Sequence, residues 1–379
     1  MKRLAGSPRP LLAVLLATIV AGVAGVGCDK KKDAPATGGG SGGAGSGSAA
    51  PVAPVVTRPS QGALPKMPAL ELADDPQRPA KIALGHALFF DTRVSVDGSR
   101  SCYSCHQNEH GNGGGDPIAI GAGDKKLTRH SPVIWNVAYF QNSFYWDGRS
   151  ATLEAQAQAA WAGGNMGVGK EPGKLEAKAT ELGKVPEYAP MFAAAFPGQA
   201  ASPELVTAAL AEYERTLLCA DTAYDRFATG DKAALDEAQQ RGLDVFLGKG
   251  QCAVCHAPPF FSTAMGVDGG AYFNVGIGTG KPEAEVDVGR ASVTKADADW
   301  AAFKPPSLRH VSKSAPYFHD GSVATLEEAV ALMAKGGITN KARTPLLADR
   351  GLSSAELADL VAFLRGLDCA GTLTPPKSP

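Results

Sequence analysis

The sequence predicts a mainly α-helical fold built from two related halves. The phrase DGRSATLE at 147–154 returns as DGSVATLE at 320–327, with six of its eight letters unchanged. A second pair of similar segments, SCYSCHQ at 101–107 and QCAVCHA at 251–257, precedes the two phrases. A repeat of this kind indicates duplicated architecture. Each half is predicted to contain an apolar helix, a CxxCH motif, a long loop and a DGxxATLE helix, with short strands at most.

Length and composition agree with two domains. A chain of 379 residues exceeds one typical domain, and two domains of about 150 residues are expected. We place them at 70–230 and 231–379. The formal net charge is −1, so the composition gives no electrostatic argument for binding to nucleic acid or to an acidic membrane surface.

The N-terminus has the layout of an export signal. Lys2 and Arg3 precede an apolar run that ends at Gly27, which predicts a signal peptide over residues 1–27. Gly25 stands where such signals usually have leucine, so an uncleaved membrane anchor is the alternative, although the run is short for a full span. Both interpretations place the remainder outside the cytoplasm.

The segment that follows is predicted to tether the protein in the periplasm. Cys28 is placed as the lipidated cysteine of a bacterial lipoprotein would be. Residues 28–69 are rich in Gly, Ser, Ala and Pro, a composition that cannot bury a core and predicts a flexible linker. We therefore expect a periplasmic, membrane-tethered lipoprotein.

The helices are predicted from apolar spacing and from their caps. Amphipathic helices, IALGHALFF at 82–90 and RGLDVFLGKG at 241–250, precede the two CxxCH motifs. A helix over 202–219 is expected to lead into the second half. The last helix begins at Ser353, with Glu356 completing a capping box, and is expected to dock near the 202–219 helix.

The seven cysteines divide into three groups by position. Cys28 follows the apolar N-terminal run, and four others form the two CxxC pairs. Cys219 and Cys369 remain, and each follows a predicted helix end. Two leftover cysteines in an oxidising compartment favour a disulfide, and two distant unpaired thiols are the alternative.

The CxxCH motif is the pattern of covalent c-type haem attachment, in which two thiols bond to the haem and the histidine supplies an axial nitrogen. A thioredoxin-like redox pair would need a βαβ context, which the sequence lacks. A zinc site would have to join pairs 150 residues apart, each with its own histidine. The sequence predicts two covalently bound haem c groups, held by Cys102, Cys105 and His106 and by Cys252, Cys255 and His256.

The sixth iron position distinguishes the two predicted haems. A His/Met pair suits electron transfer, whereas an open position permits ligand binding. Met333 lies 13 residues after Asp320 on an apolar helix face and is predicted to ligate the second iron; a core-filling role is the alternative. The same offset from Asp147 reaches Ala160, which cannot ligate iron. We expect a capped second haem and an open first haem.

Together the two halves resemble the bacterial di-haem cytochrome c peroxidases, a family that includes di-haem enzymes oxidising tryptophan residues of a partner protein. The resemblance covers residues 78–368 and rests on LGHALFFDTRVSVDGSRSCYSCH, FYWDGRSATLEAQ, RGLDVFLGKGQCAVCH and FKPPSLRHVSKSAPYFHDGSVATLEEAVALM. It implies two cytochrome c-like domains, each with one covalently attached c-type haem. It also implies that Met333 ligates the C-terminal, high-potential haem and that Trp146 relays electrons between the haems.

Two positions depart from the family pattern around the N-terminal haem. Ala122, in AIGAG, stands where many of these peroxidases have a histidine that caps the haem until reduction. Asn165, in AGGNMGVG, stands near the position of the glutamate that serves as acid and base in peroxide cleavage. An amide can hydrogen-bond peroxide but cannot transfer a proton, and this loss typically costs about 10²–10⁴ in rate.

Two histidines are alternative caps for the N-terminal haem. His110 lies only four residues from His106, which makes the opposite haem face hard to reach. His130 is better placed, although a local hydrogen bond is the more common role of such a residue. The resemblance also implies a calcium ion between the haems. His130 replaces the asparagine that usually helps to bind it, and imidazole is a poor calcium ligand.

The leading hypothesis is a periplasmic di-haem peroxidase-like oxidoreductase. It reduces hydrogen peroxide at the open N-terminal haem, and a small cytochrome c or cupredoxin supplies electrons through the C-terminal haem. In a variant, the oxidising power acts on a partner protein's side chain. The alternatives are a di-haem electron carrier without peroxide chemistry and a haem-based sensor. A homodimer is compatible with the resemblance, and the N-terminal anchor would be the membrane contact.

Overall fold

The structure, a computed structural model, describes residues 63–377. Within them, ten α-helices and short 3₁₀ turns form the regular structure, and extended pairing is limited to isolated bridges. The predicted mainly α fold is confirmed. The predicted signal peptide, Cys28 and most of the predicted linker lie outside the described residues.

The first half, residues 78–219, encloses one hydrophobic core. Its largest buried side chains include Trp161, Tyr188 and Phe89, all below 2 % exposed. The central helix pair is α1 with α5, and α2 and α4 pack against that pair. The helices of this half are α1 Arg78–Phe90, α2 Leu153–Ala162, α3 Lys174–Gly183, α4 Tyr188–Ala195 and α5 Pro203–Glu214.

The second half, residues 223–367, repeats this arrangement around its own core. The central pair is α7 with α10, and α9 packs against α10. Phe246, Phe261 and Phe363 form a group of ring contacts at the centre of this core. The helices of this half are α6 Ala223–Ala228, α7 Glu237–Leu247, α8 Ala291–Thr294, α9 Leu326–Ala334 and α10 Ser354–Arg365.

A glycine allows the two helices of each central pair to approach closely. A Cβ on Gly85 of α1 would lie 1.9 Å from the carbonyl oxygen of Ala209 in α5. A Cβ on Gly242 of α7 would lie 1.9 Å from the carbonyl oxygen of Asp359 in α10. No side chain fits at that distance, so the same device sets the backbone separation in both halves.

The repeated phrase specifies the same turn and cap in both halves. Asp147 accepts the backbone N–H of Arg149, and Asp320 accepts that of Ser322, in matching turns. The glycine that follows each aspartate has a positive φ, 69° and 59°, which favours glycine. The threonine of each copy caps the next helix through its hydroxyl, at α2 and at α9.

The two leftover cysteines form a disulfide between the halves. Cys219 and Cys369 are bonded, 150 residues apart, which is also the spacing of the two CxxCH motifs. Cys219 donates its backbone N–H to the side chain of Asn136, and Cys369 donates to the ring of His310. Asn136 and His310 both have a left-handed backbone and precede matching 3₁₀ turns. The disulfide therefore joins equivalent positions of the repeat.

The expected packing of the last helix on the 202–219 helix is wrong, because α10 packs against α7 and α9, but the expected approach of Cys219 and Cys369 is confirmed by their disulfide. The residues after α10 make the contact with the first half instead. The tail, residues 368–377, carries the disulfide, and its Leu373 is buried in the first core. The backbone N–H and carbonyl of Leu373 both pair with the side chain of Asn108.

The end of the predicted linker contacts the folded body. Leu64 packs against the second core. The carbonyls of Pro65 and Pro68 accept hydrogen bonds from Tyr224 and Tyr139 at 3.1 and 2.7 Å. These contacts order the chain before α1. None of the helices within residues 63–377 has the length and apolar character needed to cross a membrane.

Candidate functional site

The histidine of the first CxxCH motif is fixed for coordination through one ring nitrogen. His106 Nδ1 lies 3.3 Å from the carbonyl oxygen of Asn112, a contact that requires the proton on Nδ1. Burial lowers the pKa of His106 to about 4, so the ring is neutral at pH 7. Nε2 is then an unprotonated lone-pair donor, which is the form that binds iron.

The second motif repeats this arrangement. His256 Nδ1 lies 3.1 Å from the carbonyl oxygens of both Phe261 and Pro306. Burial lowers the pKa of this ring as well. Two independent loops thus produce the same tautomer at the two equivalent histidines.

None of the four motif cysteines is part of a disulfide. They are half-buried, and burial raises the pKa of Cys252 and of Cys255 to about 11. Burial also raises the pKa of Cys102 and Cys105. A redox-active CxxC pair needs a lowered thiol pKa, so these surroundings argue against thioredoxin-like chemistry. Paired thiols beside a neutral, oriented histidine fit the donor set of haem c.

A cavity of about 330 Å³ lies beside the first motif. Cys105 and Ile120 both line it, and the Sγ of Cys105 is 3.7 Å from the carbonyl oxygen of Ile120. His110 also lines the cavity, with its ring against Gly115, where an added Cβ would lie 2.4 Å from Nε2. The segment 119–120 is therefore held against the first CxxCH motif.

The two residues that depart from the family pattern, Ala122 and Asn165, contact each other. Ala122 donates its backbone N–H to the carbonyl oxygen of Asn165 at 3.0 Å. The preceding Gly121 is packed so tightly that an added Cβ would lie 1.9 Å from the carbonyl oxygen of Gly164. Ala122 is buried, and Asn165 is half-buried with no hydrogen bond from its amide to the described residues. Ala122 follows two residues after Ile120, whose carbonyl oxygen contacts Cys105, and its hydrogen bond brings the segment of Asn165 beside it.

Met333 lies in the last turn of α9, as the repeat predicts. It is half-buried and is not part of the second core, which contains Leu326 and Ala329 from the same helix. This placement disfavours the core-filling alternative. Its counterpart Ala160 lies in the last turn of α2. Ligation by Met333 stays a prediction.

Trp146 lies where the two halves meet. Its side chain is buried, with 9 % exposure, and Nε1 donates to the carbonyl oxygen of His130 at 2.9 Å. Its own carbonyl oxygen accepts the backbone N–H of Lys304, from the second half, at 2.8 Å. The structure therefore places Trp146 in contact with both halves, as a relay residue requires.

His130 forms a local hydrogen bond through its ring, and ligation by its other ring nitrogen stays a prediction. Its Nδ1 lies 2.9 Å from the carbonyl oxygen of Asp116, and the residue is buried. Burial lowers the pKa of the ring, so His130 is neutral at pH 7. Among residues 63–377, no group of three or more His, Cys, Asp or Glu side chains could hold a metal ion.

Several charged residues near Trp146 have no sequence motif that predicts their role. Arg129 joins Asp147 of the first half to Asp287 of the second, at 2.7 and 2.6 Å, and is half-buried. Lys304 and Arg290 bind backbone carbonyls around Trp146. Their positions in polar or proline-rich stretches give no local pattern that would identify them.

Comparison with known proteins agrees with this geometry. A family model described as di-haem cytochrome c peroxidase matches residues 79–233. The chain is 36% identical to cytochrome-c peroxidase IdrP1 of Denitromonas iodatirespirans, over 85% of this chain and 90% of that protein. It is 35% identical to the methylamine utilization protein MauG of Methylorubrum extorquens, over 80% of this chain and 83% of that protein.

A solved structure has the same fold. The crystal structure of a MauG-like protein associated with microbial copper homeostasis superposes with a TM-score of 0.72 at 29% identity, covering 85% of this chain and 97% of that one. The similarity spans both CxxCH motifs, and the first of these relatives is a peroxidase by name. The chain is an enzyme of this kind, and it belongs to the di-haem cytochrome c peroxidase family.

Proposed function

We propose that this enzyme reduces hydrogen peroxide at an open N-terminal haem, with electrons that a small cytochrome c or cupredoxin delivers through the C-terminal haem and Trp146. One observation carries the proposal. Ala122 follows two residues after Ile120, whose carbonyl oxygen contacts Cys105, and it donates its backbone N–H to Asn165; neither side chain can cap haem iron as a histidine would. Peroxide can then reach the first iron without a prior ligand loss.

The residues divide the work in a simple way. Haem c, when bound, supplies an iron that exchanges electrons and binds small ligands. His106 and His256 would hold the two irons through Nε2, because their Nδ1 atoms are held by carbonyl oxygens. Met333 would hold the iron of the C-terminal haem together with His256. Trp146 bridges the halves, and Asn165 donates hydrogen bonds to peroxide without transferring a proton.

The test begins with an equimolar addition of peroxide to the oxidised holoprotein. We expect a rapid change in the haem absorption spectrum, because no ligand has to leave the first iron. An unchanged spectrum would contradict the open site. It would favour the electron-carrier alternative, in which both irons have six ligands.

The Asn165→Glu variant tests the missing proton transfer. We expect its steady-state rate of peroxide reduction to rise by about 10²-fold or more, because a carboxyl group can act as acid and base. Asn165→Gln is the matched control, since it has the length of glutamate and the chemistry of an amide. Equal rates for the two variants would show that residue 165 does not face peroxide.

A second candidate is the oxidation of a side chain on a partner protein. Asn165 favours it, because an enzyme without the acid/base residue turns over peroxide slowly. The similarity to MauG and to a MauG-like protein also supports it. After one equivalent of peroxide, this candidate predicts an oxidised state that a reduced donor cytochrome c discharges slowly. Rapid discharge would favour the peroxidase.

The cellular setting is part of the proposal. The signal-like N-terminus and Cys28 support a lipoprotein tethered in the periplasm, where peroxide and small donors meet. The two cores support two haem domains, at 70–230 and 231–379. Calcium is left out of the proposal, because the ring of His130 replaces an oxygen ligand and binds the Asp116 carbonyl.

A further inference from the structure

The loop around Trp146 is held by basic side chains of the other half. We call residues 143–148 the tryptophan loop. Lys304 donates its backbone N–H to the Trp146 carbonyl at 2.8 Å and its Nζ to the Ser143 carbonyl at 2.6 Å. One residue of the second half thus binds two carbonyls of the loop, on either side of Tyr145.

Arg290 continues this contact. Its guanidinium donates to the carbonyls of Asp147 and Gly148, both at 3.0 Å. Four carbonyl oxygens within six residues therefore accept hydrogen bonds from Lys304 and Arg290. These four hydrogen bonds fix the whole tryptophan loop, and with it the backbone of Trp146, against the second half.

Lys304 is buried far beyond the usual limit for a lysine. Only 7 % of the residue is exposed, and Nζ lies 3.3 Å from the centre of the Phe140 ring. Burying an amine is costly, and the hydrogen bond from Nζ to the Ser143 carbonyl offsets only part of that cost, so the position is unfavourable for stability alone. A shorter apolar side chain would pack there without this cost but would release the Ser143 carbonyl.

We propose that Lys304 and Arg290 are positioning residues that hold Trp146 at the distance and orientation needed for electron transfer between the halves. The inference rests on the proposed relay role of Trp146. Electron transfer slows steeply with distance and depends on orientation, so a small loop movement has a large kinetic effect. Reacting groups commonly lose about 10²-fold in rate for a displacement of 1 Å.

The test measures the rate of electron transfer from the C-terminal haem to the first half rather than the overall activity. The holoprotein is prepared with its C-terminal haem reduced and is mixed rapidly with peroxide. Oxidation of the C-terminal haem is followed by its own absorption band, separately from the reaction at the first haem. For Lys304→Met we expect this oxidation to slow by about tenfold or more, with the initial peroxide reaction unchanged.

Two further variants keep the result interpretable. Lys304→Arg retains a donor at the Ser143 carbonyl and should stay close to wild type. Lys281→Met removes an exposed lysine of the same half and should have no effect. If Lys304→Met does not fold, Arg290→Lys is used in its place. This variant keeps one hydrogen-bond donor for the tryptophan loop, and we expect it to slow electron transfer.

The outcomes separate this inference from the proposed function. Wild-type protein that does not react with peroxide would contradict the open first haem. Wild-type protein that reacts, together with a Lys304→Met or Arg290→Lys variant that transfers electrons as fast as wild type, would overturn the positioning role alone. Slow transfer in Lys304→Met with normal transfer in Lys304→Arg is the expected result.

Discussion

At the scale of single residues, Glu214 holds an unusual charge state beside the first CxxCH motif. It ends α5, and burial raises the pKa of its carboxyl group to about 8. Its neighbour Arg215 acts in the opposite direction, but the arginine is engaged by Glu154 and Glu212. The folded protein therefore keeps a proton on Glu214 at pH 7 that the unfolded chain releases.

Because of this proton, we predict that the free energy of unfolding falls as the pH rises. Between the unfolded pKa near 4.5 and the folded value of about 8, the native state binds more protons than the unfolded state. Each unit of pH in that window lowers the free energy of unfolding. Glu214→Gln removes this dependence, so its stability relative to wild type should increase from pH 5 to pH 8 by more than about 1.4 kcal/mol.

Denaturant unfolding followed by circular dichroism at several pH values measures the effect. Glu71→Gln, which changes an exposed carboxyl group before α1, is the matched control and should leave the pH dependence unchanged. Parallel stability curves for wild type and Glu214→Gln would mean that Glu214 is ionised in the folded protein.

Residues with a sequence motif could be predicted, and residues without one could not. The CxxCH letters identify His106 and His256, and the local carbonyls that orient them follow from the same loops. Lys304 and Glu214 gain their properties from burial by distant segments. Nothing in the neighbouring letters distinguishes them from solvated charges, so only the tertiary structure identifies them.

At the scale of elements, helices with side-chain caps were the most predictable. Ser353 and Glu356 form the expected capping box at the start of α10. The partner of that helix was predicted wrongly, because an amphipathic pattern shows which face is buried but not which helix covers it. The close approach of α10 to α7 depends on Gly242, whose meaning appears only when the crossing is known.

At the two glycines where helices cross, Gly85 and Gly242, we predict that Gly→Ala destabilises the protein. In an exposed helix, Gly→Ala stabilises by about 1 kcal/mol. At Gly85 and Gly242 the added methyl group would meet a backbone carbonyl at 1.9 Å, so the helices must separate. We expect Gly85→Ala and Gly242→Ala each to lower the free energy of unfolding by about 1–3 kcal/mol or more.

Thermal unfolding of the holoproteins measures this effect. Gly280→Ala is the control, because an added Cβ there meets no atom within 4 Å and the backbone is not in the left-handed region. A crossing variant as stable as the control would mean that its helix pair can open without loss of core packing.

At the scale of the whole molecule, the disulfide and the tail connect the two hydrophobic cores, which are formed by different parts of the chain. The Cys219–Cys369 bond spans 150 residues, a long loop for the unfolded chain. Cross-linking such a loop restricts the unfolded state. We expect the double variant Cys219→Ser, Cys369→Ser to lose about 2–5 kcal/mol of stability.

Two measurements check the disulfide. Chemical unfolding compares the double variant with wild type under non-reducing conditions. A thiol count on denatured, unreduced wild-type holoprotein should find neither of these two cysteines free. Two reactive thiols per chain would contradict the bond, and equal stability would mean that the tail is held by its other contacts.

The position of the disulfide has a consequence for how the chain could be divided. In a homodimer, a residue on the two-fold axis contacts its own copy. The two bonded cysteines contact each other in the same way, because they occupy equivalent positions of the two repeats. A single backbone cut after the exposed Lys232 would leave Cys219 on one fragment and Cys369 on the other. The product would run as one species on a non-reducing gel and as two after reduction, so that one gene product becomes a covalent heterodimer of half-sized cytochromes.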